Sequence, residues 1–168
     1  MAPLTVRERS LDPELARRHA FDLAWLALGR RDRTEAELRR LLAGKRVEPA
    51  LIEDVVAELR TGGYLDDGRF ARRFAEDRRA LDGWGAERIR RRLEALGVAR
   101  EHVDAAVAQR TPADELEAAL ALLARRFPDP PATAREAERA LHMLVRKGYD
   151  VEAGYEALRR YAGLQAEG

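Results

Sequence analysis

Apolar residues recur in this chain with two periods at once. Within short stretches they fall three or four residues apart, the spacing of one face of an α-helix. Over longer distances the same run returns every 51 residues, read most easily at Val47, Val98 and Tyr149. The stretches LRRLLAGKRVEPALIEDVV from Leu38, IRRRLEALGVAREHVDAAV from Ile89 and ALHMLVRKGYDVEAGYEAL from Ala140 align without a gap. Leu42, Leu93 and Leu144 take one equivalent position, and Val56, Val107 and Leu158 another. A small helical unit cannot close a core alone, so tandem copies stack, and the stack offers an extended surface rather than a deep pocket.

Punctuation places the helices. Asp12 before Pro13, and Thr111 before Pro112, put a capping residue ahead of proline at the first helical position. Thr34 to Glu37 and Thr133 to Glu136 are Thr-x-x-Glu boxes, in which hydroxyl and carboxylate each satisfy an orphan backbone amide. Glycines 44, 62, 63, 97 and 148 lie where the apolar period stops. The pattern predicts helices near 14–30, 34–44 and 49–61, then 66–82, 85–96 and 100–109, then 112–127, 133–147 and 150–162, with Pro128 to Pro131 as a connector. No run alternates like a strand. The expected fold is all-α: three tandem three-helix, helix-turn-helix-like repeats in an elongated, curved array. A flexible segment over 1–13 precedes repeats over 14–65, 66–110 and 111–168.

Core positions follow from the 3.6 period: Ile89, Leu93 and Leu96 form one stripe, Phe70, Phe74 and Leu81 another, and Leu51, Ile52, Val55, Val56 and Leu59 a third. Trp25, inside a helical apolar run, also reads as core. Trp84, between Gly83 and Gly85, is expected to cap the local core with its N–H near water.

Composition narrows the chemistry. Hydrophobic residues make up 46% and charged residues 36% of the 168, which suits a folded chain with a heavily charged surface. With no cysteine, disulfides, thiolate metal sites and cysteine nucleophiles are excluded. His19, His102 and His142 are scattered without ligand spacing, serine occurs once, at Ser10, and neither GxxxxGK[ST] nor GxGxxG is present. The expectation is a protein without catalytic residues, metal or cofactor. No long apolar run or signal-peptide core is evident, so the chain is expected to be cytoplasmic, without membrane contact. No heptad seam demands a dimer, which makes a monomer the expectation.

Net charge is only +1, yet Arg69 to Arg92 holds nine basic residues against four acidic ones. That asymmetry suits nucleic acid or an acidic protein groove. Arg88, Arg91 and Arg92 lie on one flank of the Ile89/Leu93 stripe, and Arg90 lies on the other with Glu87 and Glu94. Arg69, Arg72 and Arg73 form a similar flank on the preceding helix, where Glu76 stands one turn from Arg72. These six arginines, 69, 72, 73, 88, 91 and 92, are either a solvated face or contacts for phosphates and acidic side chains. Asp66 and Asp67 read as helix caps rather than as a carboxylate pair.

YLDDGRFARRF from Tyr64, followed by GWGAERIRRRLEALGV from Gly83, resembles the RecX family of recombination regulators. RRDRTEAELRRLL from Arg30 fits the same pattern. The resemblance covers residues 20 to 110 closely and the third repeat less so. It implies a non-enzymatic negative regulator that binds the RecA–DNA filament along its helical groove and inhibits ATP hydrolysis, strand exchange and coprotease function, and thereby recombination, DNA repair and the SOS response. It also implies weaker binding to single- or double-stranded DNA. The competing reading is a sequence-tolerant DNA-binding protein that acts by competing for DNA.

Overall fold

The computed structural model describes residues 12–166. Among them are nine helices and no strand: α1 (Pro13–Arg30), α2 (Glu35–Gly44), α3 (Pro49–Thr61), α4 (Asp67–Asp82), α5 (Ala86–Ala95), α6 (Arg100–Val107), α7 (Pro112–Arg126), α8 (Ala134–Lys147) and α9 (Val151–Ala166). The all-α expectation holds, and each helix lies close to its predicted span. The flexible segment expected over 1–13 falls almost wholly outside the described residues. No helix among the described residues is long and apolar enough to cross a membrane.

The caps act as the sequence requires. The Asp12 carboxylate accepts from the Glu14 amide at 3.1 Å, and both Thr-x-x-Glu boxes are closed. A third box, Thr111 with Asp114, starts α7. Aspartate there takes the place that glutamate holds in the other two.

The chain forms two compact units, the first ending at Phe70 and the second beginning at Ala71. In the first, α1, α2 and α3 enclose Ala20, Ala24, Leu38, Leu42, Val55, Val56, Leu59 and Leu65. In the second, Leu122, Leu123, Ala140, Leu144, Tyr149, Ala157 and Tyr161 form the core of α7, α8 and α9, while Ile89, Leu93, Val98 and Val103 are buried from α5 and α6. Each large apolar side chain so buried stabilises its unit by about 1.5 to 3 kcal/mol.

The 51-residue period is a repeated turn. Leu42, Leu93 and Leu144 are all fully buried, and their carbonyls accept from the amides of Val47, Val98 and Tyr149, each at 3.1 Å. The residue before each of those amides takes left-handed backbone: Arg46 at φ 62°, Gly97 at 81° and Gly148 at 96°. Gly44 therefore does not stop its helix as expected; it is the last residue of α2, and Arg46 makes the turn.

Two core assignments are corrected. Trp25 is 43% exposed and Leu81 76% exposed. The buried face of α1 is Ala20, Ala24 and Ala27, and that of α4 includes Ala71 and Ala75. Small side chains on those faces let neighbouring backbones approach, which turns the larger apolar residues onto the flanks. The connector after α7 is pinned from α9, where the buried Tyr161 hydroxyl donates to the carbonyls of Phe127 and Pro128.

Candidate functional site

The arginines of α5 are held by the way that helix begins. Gly85 offers no side chain to cap it, and the turn between α8 and α9 supplies the acceptors instead. The Gly85 amide donates to the Lys147 carbonyl at 2.8 Å and the Glu87 amide to the Gly148 carbonyl at 3.0 Å. Between them, the Ala86 amide donates to a Glu115 carboxylate oxygen at 2.7 Å. A β-carbon on Gly85 would lie 2.5 Å from the Gly148 oxygen, so the approach requires glycine. In the first unit α2, capped by its own Thr34, also has an amide held by a distant carboxylate, that of Glu35 donating to Asp67 at 2.9 Å.

Trp84 and Arg88 stand beside this junction. The Arg88 guanidinium lies over the Trp84 ring, 4.2 Å from its centre, and donates to the Arg146 carbonyl at 3.1 Å. Phe74 meets Trp84 edge-on, with ring centres 6.1 Å apart, and Arg78 approaches both rings. Trp84 is half-buried, as a local cap should be. Lys147 reaches back to the Asp82 carbonyl at 2.8 Å, and the Tyr149 hydroxyl donates to the Gly83 carbonyl at 3.2 Å. Burial, with Glu115 nearby, holds the Tyr149 hydroxyl above its ordinary pKa.

Along the same flank of α5, Arg91 and Arg92 are exposed. Arg91 bonds only the carbonyl of Glu87, at 3.3 Å, and neither forms an ion pair among the described residues. Together with Trp84, Arg88 and Ala95 they line a shallow open groove. Arg90, on the opposite flank, is paired with Asp104 and stands 4.0 Å from Glu87. The hydrogen bond from Arg90 pulls the Asp104 carboxyl below the usual carboxylate range. The division of α5 into a free flank and a neutralised one, expected from the sequence, is present.

On α4 the picture is more mixed. Arg69 donates to the Gly63 carbonyl at 3.0 Å, within a pocket of the first unit that also includes Trp25, Tyr64 and Phe70. Arg72 and Arg73, in the second unit, are exposed, and among the described residues Arg72 forms no ion pair with Glu76, one turn away. Asp66 caps α4 through the Arg69 amide at 2.8 Å. With Asp67 bonded to α2, the two carboxylates serve helix ends. Among the described residues no group of three or more His, Cys, Asp or Glu side chains could hold a metal.

Two features escaped the sequence reading. One is the half-buried Arg79, which donates to the Val107 carbonyl at 2.9 Å. Burial, then repulsion from Arg110, lowers its pKa. No local pattern marks Arg79, because Arg110 and Glu115 reach it only through the fold. The other is a set of basic residues, Arg126 from α7 with Arg139, His142 and Arg146 from α8, that line one groove.

Three-helix units with charged flanks and carboxylates at helix ends define an all-α, helical-repeat protein. Residues 20–59 match the model of the first three-helix domain of RecX, and residues 66–107 that of the second. The chain is 39% identical over 133 residues to the regulatory protein RecX of Leptothrix cholodnii, covering 79% of this chain and 82% of that protein. The Escherichia coli regulatory protein RecX is 34% identical over 164 residues, covering 91% and 96%. The crystal structure of RecX from Lactobacillus salivarius superposes with a TM-score of 0.79 at 16% identity, over 88% of this chain and 97% of that one. This chain belongs to the RecX family.

Proposed function

We propose that this chain is a negative regulator of RecA, binding the RecA–DNA filament in its groove and inhibiting ATP hydrolysis, strand exchange and coprotease activity. The observation that carries the reading is membership of a family of regulatory proteins over most of the chain. Exposed cations are the physical counterpart: Arg91 and Arg92 on α5, with Arg72 and Arg73 on α4, face solvent where an acidic or phosphate-bearing surface can meet them. Arg88 holds the groove wall against Trp84, and Arg69 lies at the start of α4; both complete the candidate set.

The alternative reading is a sequence-tolerant DNA-binding protein that acts by competing for DNA, and stoichiometry separates the two.

The test is DNA-dependent ATP hydrolysis by RecA on single-stranded DNA, with this protein titrated from far below to above the RecA concentration. Loss of hydrolysis well below one molecule per RecA subunit supports filament regulation. Loss only when the DNA is saturated, or no loss, overturns it.

A further inference from the structure

The helix that carries Arg88, Arg91 and Arg92 lacks the cap that its counterparts make for themselves. α2 closes a box between Thr34 and Glu37, and α8 closes one between Thr133 and Glu136. One period of 51 residues carries Thr34 to Gly85 and Glu37 to Arg88. Glycine has no side chain to accept an amide hydrogen, and a guanidinium offers donors only. α5 therefore holds neither half of the box, and no side chain caps it at Gly85. A side chain at position 85 would also meet the Gly148 oxygen, so a box cannot be restored there.

Elements far along the chain supply what is missing. The amides of Gly85 and Glu87 donate to the carbonyls of Lys147 and Gly148, and the Ala86 amide donates to Glu115. The two carbonyls are fixed by the α8–α9 turn. Glu115 is the side chain of the three acceptors, and a substitution can withdraw it without rebuilding that turn.

Glu115 lies in the first turn of α7, where the helix dipole favours a carboxylate, and its side chain is only 13% exposed. Its two oxygens are divided between partners. Oε1 accepts from the Ala86 amide at 2.7 Å, and Oε2 stands 3.6 Å from Arg110. The dipole of α7 and the ion pair both account for a negative charge at this place. Neither requires an oxygen aimed at an amide 29 residues away.

That amide matters because α5 has ten residues, short of the about 12 to 15 that an isolated helix needs to persist in water. Its neighbours therefore set its order and direction. Arg91 and Arg92 stand on its exposed flank. A fixed amino end gives the flank one orientation, whereas a frayed end spreads it over many and adds an ordering cost to any complex.

We infer that Glu115 is a positioning residue: by holding the Ala86 amide, it sets the orientation in which α5 presents Arg91 and Arg92 to a partner. The inference rests on the filament reading above.

Two measurements on the full chain test it, both well below every variant's melting temperature. One is hydrogen exchange at the Ala86 amide without RecA; the other is inhibition of RecA ATP hydrolysis on single-stranded DNA. Glu115→Asp keeps the charge and draws the acceptor back by one methylene, while Glu115→Gln keeps the reach and the acceptor oxygen and loses the charge. Glu115→Ala and Glu115→Asp are expected to exchange Ala86 about tenfold faster and to need about tenfold more protein for half-inhibition, the equivalent of one helix cap. Glu115→Gln should restore both. Arg110→Ala, which removes the ion pair and leaves the cap, should inhibit like the wild type even if it melts lower. Unchanged exchange at Ala86 in Glu115→Ala, undiminished inhibition once that exchange has risen, or Glu115→Gln as weak as Glu115→Ala would each overturn the inference. A wild type that fails to inhibit would overturn the filament reading, and this inference with it; the exchange measurement tells that result apart from loss of the cap.

Discussion

Gly148 is packed against the backbone of Arg88: a β-carbon at Gly148 would lie 2.4 Å from the Arg88 β-carbon and 2.5 Å from its nitrogen. The same glycine has φ 96°, so conformation and space both demand the missing side chain. Gly148→Ala should destabilise the second unit by roughly 2 to 4 kcal/mol, adding a clash with backbone to left-handed strain. Gly63→Ala is the control, because Gly63 is left-handed with open space around it and should lose only about 1 kcal/mol. Equal melting shifts for the two would show that the Arg88 contact adds nothing.

Arg46 occupies the position that Gly97 and Gly148 hold in the other copies of the turn, with φ 62°. A side chain there costs about 1 to 2 kcal/mol relative to right-handed backbone. Arg46 makes no ion pair among the described residues, and it is exposed. Arg46→Gly should therefore stabilise the first unit by about 0.5 to 1 kcal/mol, after the added freedom of glycine in the unfolded chain is subtracted. A lowered melting temperature would contradict this account of the turn.

The repeat was legible because it is written in the residues that make the turn: Leu42, Leu93 and Leu144 give the buried carbonyls, and the residues five positions later give the amides. What the pattern misjudged was which face of α1 and α4 is buried. Alanine carries a weak apolar signal, so the runs around Trp25 and Leu81 outweighed Ala20, Ala24, Ala71 and Ala75. The free flank of α5 was legible from helical spacing alone. The role of Arg88 was not, since the Arg146 carbonyl it bonds lies 58 residues away in the last turn of α8, and only Trp84, four positions before it, is a local partner.

Glu37 makes the first unit sensitive to acid. Desolvation acts to raise its pKa, but the hydrogen bond from Arg31, the Thr34 amide and the nearby charges of Arg31 and Arg33 prevail, and the net shift is downward. A carboxyl with a lowered folded pKa contributes stability above its unfolded value, about 4.3, and loses it as pH falls through the folded value. Glu37→Gln should melt lower than wild type at pH 7, by about 1 kcal/mol, and the gap should narrow as pH falls below the unfolded value of about 4.3. A gap that stays the same size as the solution is acidified would mean that the charge of Glu37 contributes nothing.

The α5 flank can be tested apart from the core beneath it. Arg91→Glu with Arg92→Glu reverses two exposed charges and leaves Arg88 in place over Trp84. Removing Arg88 would mix a surface effect with loss of the junction it braces. The double variant should abolish inhibition of RecA ATP hydrolysis while changing stability by no more than about 0.5 kcal/mol per site. Ile89→Ala should behave in the opposite way: its side chain is fully buried, so truncation should destabilise the second unit by about 2 to 5 kcal/mol. Below the shifted melting point this variant should still inhibit, because the arginine flank is intact. Wild-type inhibition by the double variant would remove Arg91 and Arg92 from the contact surface.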